Sequence, residues 1–193
     1  MITQDGQPAG APAATDSSHP GETAGRRALV LLGLLGAGAV LGALLGAVWE
    51  LVWTPPTGAA WKGEFFLDRA GLVNDVDATG WFTVVGLVGG VVFGGLAARF
   101  VRSAPLLVLV GILLGAFVMA WVMYVVGHVL GPPDPDVVAR TTGDWEPIIS
   151  DLRLAGVEHT WWPFGSTATL APAVGAMISV VGIYFGGVRR PHR

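Results

Sequence analysis

The chain has 193 residues, 52% of them hydrophobic and only 13% charged, with 29 glycines, eight tryptophans and no cysteine. Its mean hydropathy is +0.61 and its formal net charge −3. Soluble domains carry about 25% charged residues, so this composition excludes an ordinary soluble domain and places folding in a bilayer; the polar remainder is too short for a sizeable core of its own.

Residues 1–25 are rich in Pro, Gly, Ala, Ser and Thr and lack aromatic side chains. Such a segment buries too little surface to offset its ordering entropy, and it reads as a disordered cytoplasmic tail. The membrane domain covers 26–190. A helix needs about 20 apolar residues to cross the hydrocarbon layer, and four stretches qualify: about 28–53, 81–98, 105–130 and 168–188. The first is too long for the core of a signal peptide, and no small-x-small cleavage site follows it. It reads as a retained anchor. Residues 191–193 form a short second tail.

Seven basic residues (Arg26, Arg27, Arg99, Arg102, Arg189, Arg190 and Arg193) fall on one side of these spans with three acids; the other side holds four basic residues and eleven acids. The positive-inside rule then puts both termini in the cytoplasm of a multi-pass plasma-membrane protein. Tryptophan prefers the membrane interface, and Trp49, Trp53, Trp61, Trp81, Trp145, Trp161 and Trp162 all fall at or beyond the outer ends of the spans. They predict an outer aromatic belt.

Helices in lipid associate through close backbone approach, which small residues four apart permit. Span one has Gly38, Gly42 and Gly46, and span two has Gly86, Gly90 and Gly94. These triplets predict that spans one and two cross along those faces. Each half of the chain also runs through a long span to a Pro-Pro pair, forms an outer loop and returns, as in a parallel repeat about an axis along the membrane normal.

The outer loops are 54–80 and 131–167. Alternation over Trp61–Asp68, with a turn at Asp68–Gly71, and again over Ile148–Leu154 predicts short strands. Without a disulfide the two loops must rest on each other and on the helix ends. The expected fold is therefore an all-α transmembrane four-helix bundle carrying a small strand-containing cap. Where that cap is incomplete, Phe65, Phe66, Trp161, Trp162 and Phe164 form either a partner surface or part of the lipid-facing belt.

Glu50 and His128 lie at matching positions before the two Pro-Pro pairs; they either meet as a polar pair or each face interfacial water. His159 beside Glu158 adds to them without the spacing of a metal site, so no metal and no cofactor are expected. Ser166 lacks a nucleophile elbow, and the glycines of 86–95 lack the lysine and context of a phosphate loop. No catalytic residue is assigned.

The segment Val48-Trp49-Glu50-Leu51-Val52-Trp53-Thr54-Pro55, the Asp77-Ala78-Thr79-Gly80-Trp81-Phe82 entry to span two, the Gly127-His128 exit before Gly131-Pro132, and Trp162-Pro163 resemble a family of uncharacterised actinobacterial four-span integral membrane proteins. The resemblance covers about residues 26–190. It implies the same topology in an actinobacterial plasma membrane and supplies no catalytic residue. The expected function is a non-enzymatic interaction or assembly component of the cell envelope, with the bilayer and envelope membrane proteins or a second copy as partners, and no nucleic acid. The competing reading is a small transporter, channel or accessory transport subunit acting as an oligomer.

Overall fold

The structure, a computed structural model, describes residues 20–67, 69–101, 105–157 and 162–186. The expected tail over 1–19, Asp68, Arg102, Glu158, His159, Trp161 and the terminal segment with Arg189, Arg190 and Arg193 lie outside them. In chain order the elements are α1 (Pro20–Val52), β1 (Thr57–Trp61), β2 (Glu64–Leu67), α2 (Arg69–Phe100), α3 (Pro105–Leu130), α4 (Pro135–Ala139), β3 (Pro147–Ile149), a 3-10 turn (Thr167–Leu170) and α5 (Ala171–Gly186).

Four segments are long and apolar enough to cross a membrane: Ala24–Val52, Asp77–Phe100, Pro105–Ala139 and Thr167–Phe185. Two helices start earlier than expected. Residues 20–25, read as tail, open α1, with Pro20 at a start where its missing N–H leaves no bond unmade. Residues 69–80, read as loop, belong to α2. In both places the helix propagates outward from the apolar stretch, since each added residue gains a backbone bond without a new nucleation cost.

The helices pair differently from the expectation. The most extensive contacts are α1 with α3 and α2 with α5, and those between α1 and α2 are much slighter. A Cβ at Gly42 would stand 2.5 Å from the Met119 carbonyl oxygen, one at Gly46 2.6 Å from that of Met123, and Gly38 abuts Gly115. These glycines bring α1 onto α3, not onto α2. Gly86 and Gly90 lie against Pro172, and a Cβ at Gly94 would stand 2.5 Å from the Ala176 carbonyl oxygen, so this triplet brings α2 onto α5. Both pairs join helices that run in the same direction, α1 and α3 toward the sheet and α2 and α5 away from it. A two-fold along the membrane normal would relate the same pairs. One axis cannot run through two seams at overlapping depth, so the proposed repeat symmetry does not hold.

The core has two layers. Leu34, Phe93, Ile112, Met119 and Ala176 fill the half nearer the arginines, and Trp49, Trp53, Phe82, Met123, Tyr124, Leu152 and Leu154 fill the half under the cap. The α1 and α2 helices touch where Leu45 enters the space left by Gly89.

The cap is a three-stranded antiparallel sheet in the order β2-β1-β3, with Trp61 paired to Glu64 and Thr57 to Ile149. Lys62 and Gly63 have φ of 53° and 78°, the two positive values of a tight hairpin turn whose twist matches its strands. The alternating run from Trp61 thus contains a turn at Lys62–Gly63, and residues 69–71 of the expected turn open α2, Asp68 lying outside the described residues. Among the described residues of the second loop only 147–149 pair as a strand, with Ser150 N adding a bond to Pro56 O at 2.9 Å. Beyond it Leu152 and Leu154 point into the bundle core and Arg153 faces out, but Asp151 is buried as well, so the alternation is broken there. Sheet and α4 enclose a small core of Ala60, Ala139 and Ile148, with Phe65 and Val138 against it.

Candidate functional site at the cap

The junction of cap and bundle is built on Trp49, at the end of α1. Its ring is fully buried, lies over Gly127, meets Phe82 edge-on at 5.0 Å, and its Nε1 donates to the Ala78 carbonyl at 2.8 Å. A buried indole is stable when its N–H finds such an acceptor. Trp53, one turn on, is buried as well, and its Nε1–H has no acceptor among the described residues. Neither belongs to an interfacial belt, because the segment 152–157 folds over them and makes them core.

Glu50 and His128 lie near the cap ends of neighbouring helices, but they form no ion pair among the described residues. His128 turns to the cap: with its proton on Nδ1 it donates to the Leu152 carbonyl at 3.2 Å, and its ring stacks on Tyr124 at 6.0 Å between centroids. Glu50 is half-buried.

The polar cluster of the junction lies one step further along the loop, at residues the sequence did not single out as a site. The Asp151 side chain is only 2% exposed, and Arg153 joins it at 2.5 Å and Asp134 at 3.3 Å. Asp134 in turn caps α4 by accepting from the backbone N of Asp136 at 3.0 Å. Burial pushes the Asp151 carboxyl above its ordinary value, against the opposing pull of Arg153 and, more weakly, His128. Burial acts to lower Arg153, but its hydrogen bond to Asp151 and the charges of Asp151, Asp134 and Asp136 hold it above its usual value. A cleft of about 370 Å³ lies over the pair, lined by Phe65, Leu67, Pro135 and Gly156 among others. A guanidinium is clamped between two carboxylates, and the nearest imidazole, with its Nδ1 proton given to a backbone carbonyl, keeps Nε2 as an acceptor. The two ion pairs clasp residues 151–153 to the start of α4. No group of three His, Asp or Glu among the described residues is placed to hold a metal ion.

The expected aromatic patch divides. Phe65 packs inward against the cap core. Trp162 and Phe164 meet edge-on at 5.0 Å, and Phe164 rests on Phe117 of α3, so they lie against the bundle. Phe66 faces out and joins two residues that the sequence offered only as belt tryptophans. Its ring lies 6.2 Å from Trp61, which lies 6.1 Å from Trp145. Lys62 Nζ stands 4.5 Å from the Trp61 ring centroid. Trp145 is 72% exposed and has φ of 68°, a backbone state costly for a bulky residue. Its N donates to the Ala60 carbonyl at 2.7 Å, and Ala60 N to the Glu146 carbonyl at 3.1 Å, which locks the ring beside Trp61. Exposed Glu64, Asp144 and Glu146 rim the row. Trp61 and Trp145 are 84 positions apart, and only the pairing of β1 with the 145–149 segment brings them together.

No protein-family model matches the chain, and no curated protein or solved structure is similar to it.

Proposed function

We propose that the protein is a non-enzymatic, multi-pass component of a plasma membrane whose cap is a rigid docking platform for another envelope membrane protein, with both termini cytoplasmic. The observation that carries this reading is the row Phe66, Trp61, Trp145: three rings on the outer face of a sheet, held in place by backbone pairing and rimmed by acids. An exposed indole fixed at a strained backbone position beside two further part-exposed rings, with no described residue over it, marks an interaction surface. The helices beneath favour a scaffold over a conduit, since Leu34, Phe93, Ile112 and Met119 fill the interior and the glycine seams close backbone to backbone.

A photocrosslinking residue in place of Trp145, activated in native membranes, tests the reading. A discrete crosslinked membrane protein that disappears when Trp61 is changed to Ala is the expected result. Crosslinks to lipid alone would overturn it.

A further inference from the structure

A second surface lies at the opposite end of the molecule. Between α1 and α2 a groove of about 660 Å³ runs from Val30 to Leu44 on one wall and is closed on the other by Phe93, Leu96, Ala97 and Phe100. It exists because the two helices touch chiefly near Leu45 and because α1 has glycine at 33 and 36. A Cβ at either glycine would meet nothing within 4 Å, unlike those of the α1–α3 seam. At about 1.5 Å per residue the wall is about 21 Å long, against the roughly 15 Å that one leaflet contributes to the hydrocarbon layer.

The mouth of the groove is cationic. Arg26 precedes Val30 by one turn and Gly33 by two on a single helix face, with Arg27 beside it. The guanidinium of Arg99 lies 5.8 Å from the ring centroid of Phe100, which lines the groove. All three arginines are exposed, and none forms an ion pair among the described residues. An apolar slot of acyl-chain length ending in three exposed arginines is complementary to one class of molecule.

We propose that this groove binds an anionic diacyl phospholipid, with an acyl chain along α1 between Val30 and Leu44 and the phosphate held by Arg26, Arg27 and Arg99. The full chain in detergent, mixed with equal amounts of phosphatidylglycerol and phosphatidylcholine and examined by native mass spectrometry, tests this. The wild type is expected to retain one phosphatidylglycerol at least about fivefold over phosphatidylcholine, the ratio expected from a single such arginine. The combined Arg26→Gln, Arg27→Gln and Arg99→Gln variant is expected to lose that preference. Gly33→Leu with Gly36→Leu is expected to abolish retention of both lipids with thermal stability unchanged, because the new side chains enter open space. Equal retention of the two lipids by the wild type, or unchanged retention by the leucine variant, overturns the proposal. So does a lipid-free dimer that the leucine variant converts to monomer, which would make a second copy the occupant.

Discussion

Asp151 and Arg153 show how a residue's role is set by where the chain turns. Both lie in the alternating run over Ile148–Leu154 that the sequence presents as a strand. The sheet ends at Ile149, and the loop then presses Leu152 and Leu154 into the bundle, which drags Asp151 out of water and leaves Arg153 to compensate its charge. Burial of this kind has a measurable sign. The carboxyl of the folded chain holds a proton at a higher pH than that of the unfolded chain, so the native state takes up a proton first on acidification. Relative to Asp151→Asn, the wild type is therefore expected to gain stability as pH falls from the raised value toward the ordinary carboxylate value of about 3.9, and to level off below it. Thermal unfolding in detergent across pH 7 to 4 reads this, and a wild type that loses stability relative to the variant over that range contradicts it. Trp49 and Trp53 carry the complementary lesson. Their place in the sequence suggests interface, and only the return of 152–157 over the α1 end makes them core.

At the scale of the helix, glycines four apart state that a seam exists and leave open which helix fills it. Every span offers small residues, so the choice rests on shapes that spacing does not encode. Gly38, Gly42 and Gly46 meet the α3 backbone from Gly115 to Gly127, and Gly90 and Gly94 meet Pro172 and Ala176. Pro172 suits this place because it lies in the first turn of α5, where no backbone bond is lost. Gly42→Leu is expected to destabilise the α1–α3 pair, and Gly90→Leu the α2–α5 pair, by about 1–3 kcal/mol or more from overpacking against backbone that cannot move aside. Gly36→Leu is expected to change stability little. Comparing the three melting temperatures in detergent checks the assignment, and a Gly36→Leu loss as large as that of Gly42→Leu would contradict it. Hairpin and strand were half legible for a related reason. The alternation marks extended chain, but β1 is Thr-Gly-Ala-Ala-Trp, whose small residues carry no period, so the central strand of the sheet gave no signal.

For the molecule as a whole, the four apolar segments were legible because the bilayer imposes a length and forbids charge, and neither constraint depends on tertiary contacts. What tertiary contact decides was not legible: the pairing of the helices, the clasp at Arg153, and the meeting of Trp61 with Trp145. The charge distribution bears on the remaining question of direction. The arginine ends and the carboxylate-rich cap lie at opposite ends of the bundle, and a docking role in the envelope requires the cap to face out. The chain has no cysteine, so a single introduced thiol reports without background. Glu146→Cys on the cap and Ala24→Cys at the start of the first apolar segment, both at exposed positions, can be treated in intact cells with a membrane-impermeant maleimide. The account predicts labelling at 146 in intact cells and at 24 only after permeabilisation; labelling at 24 with protection at 146 would contradict it.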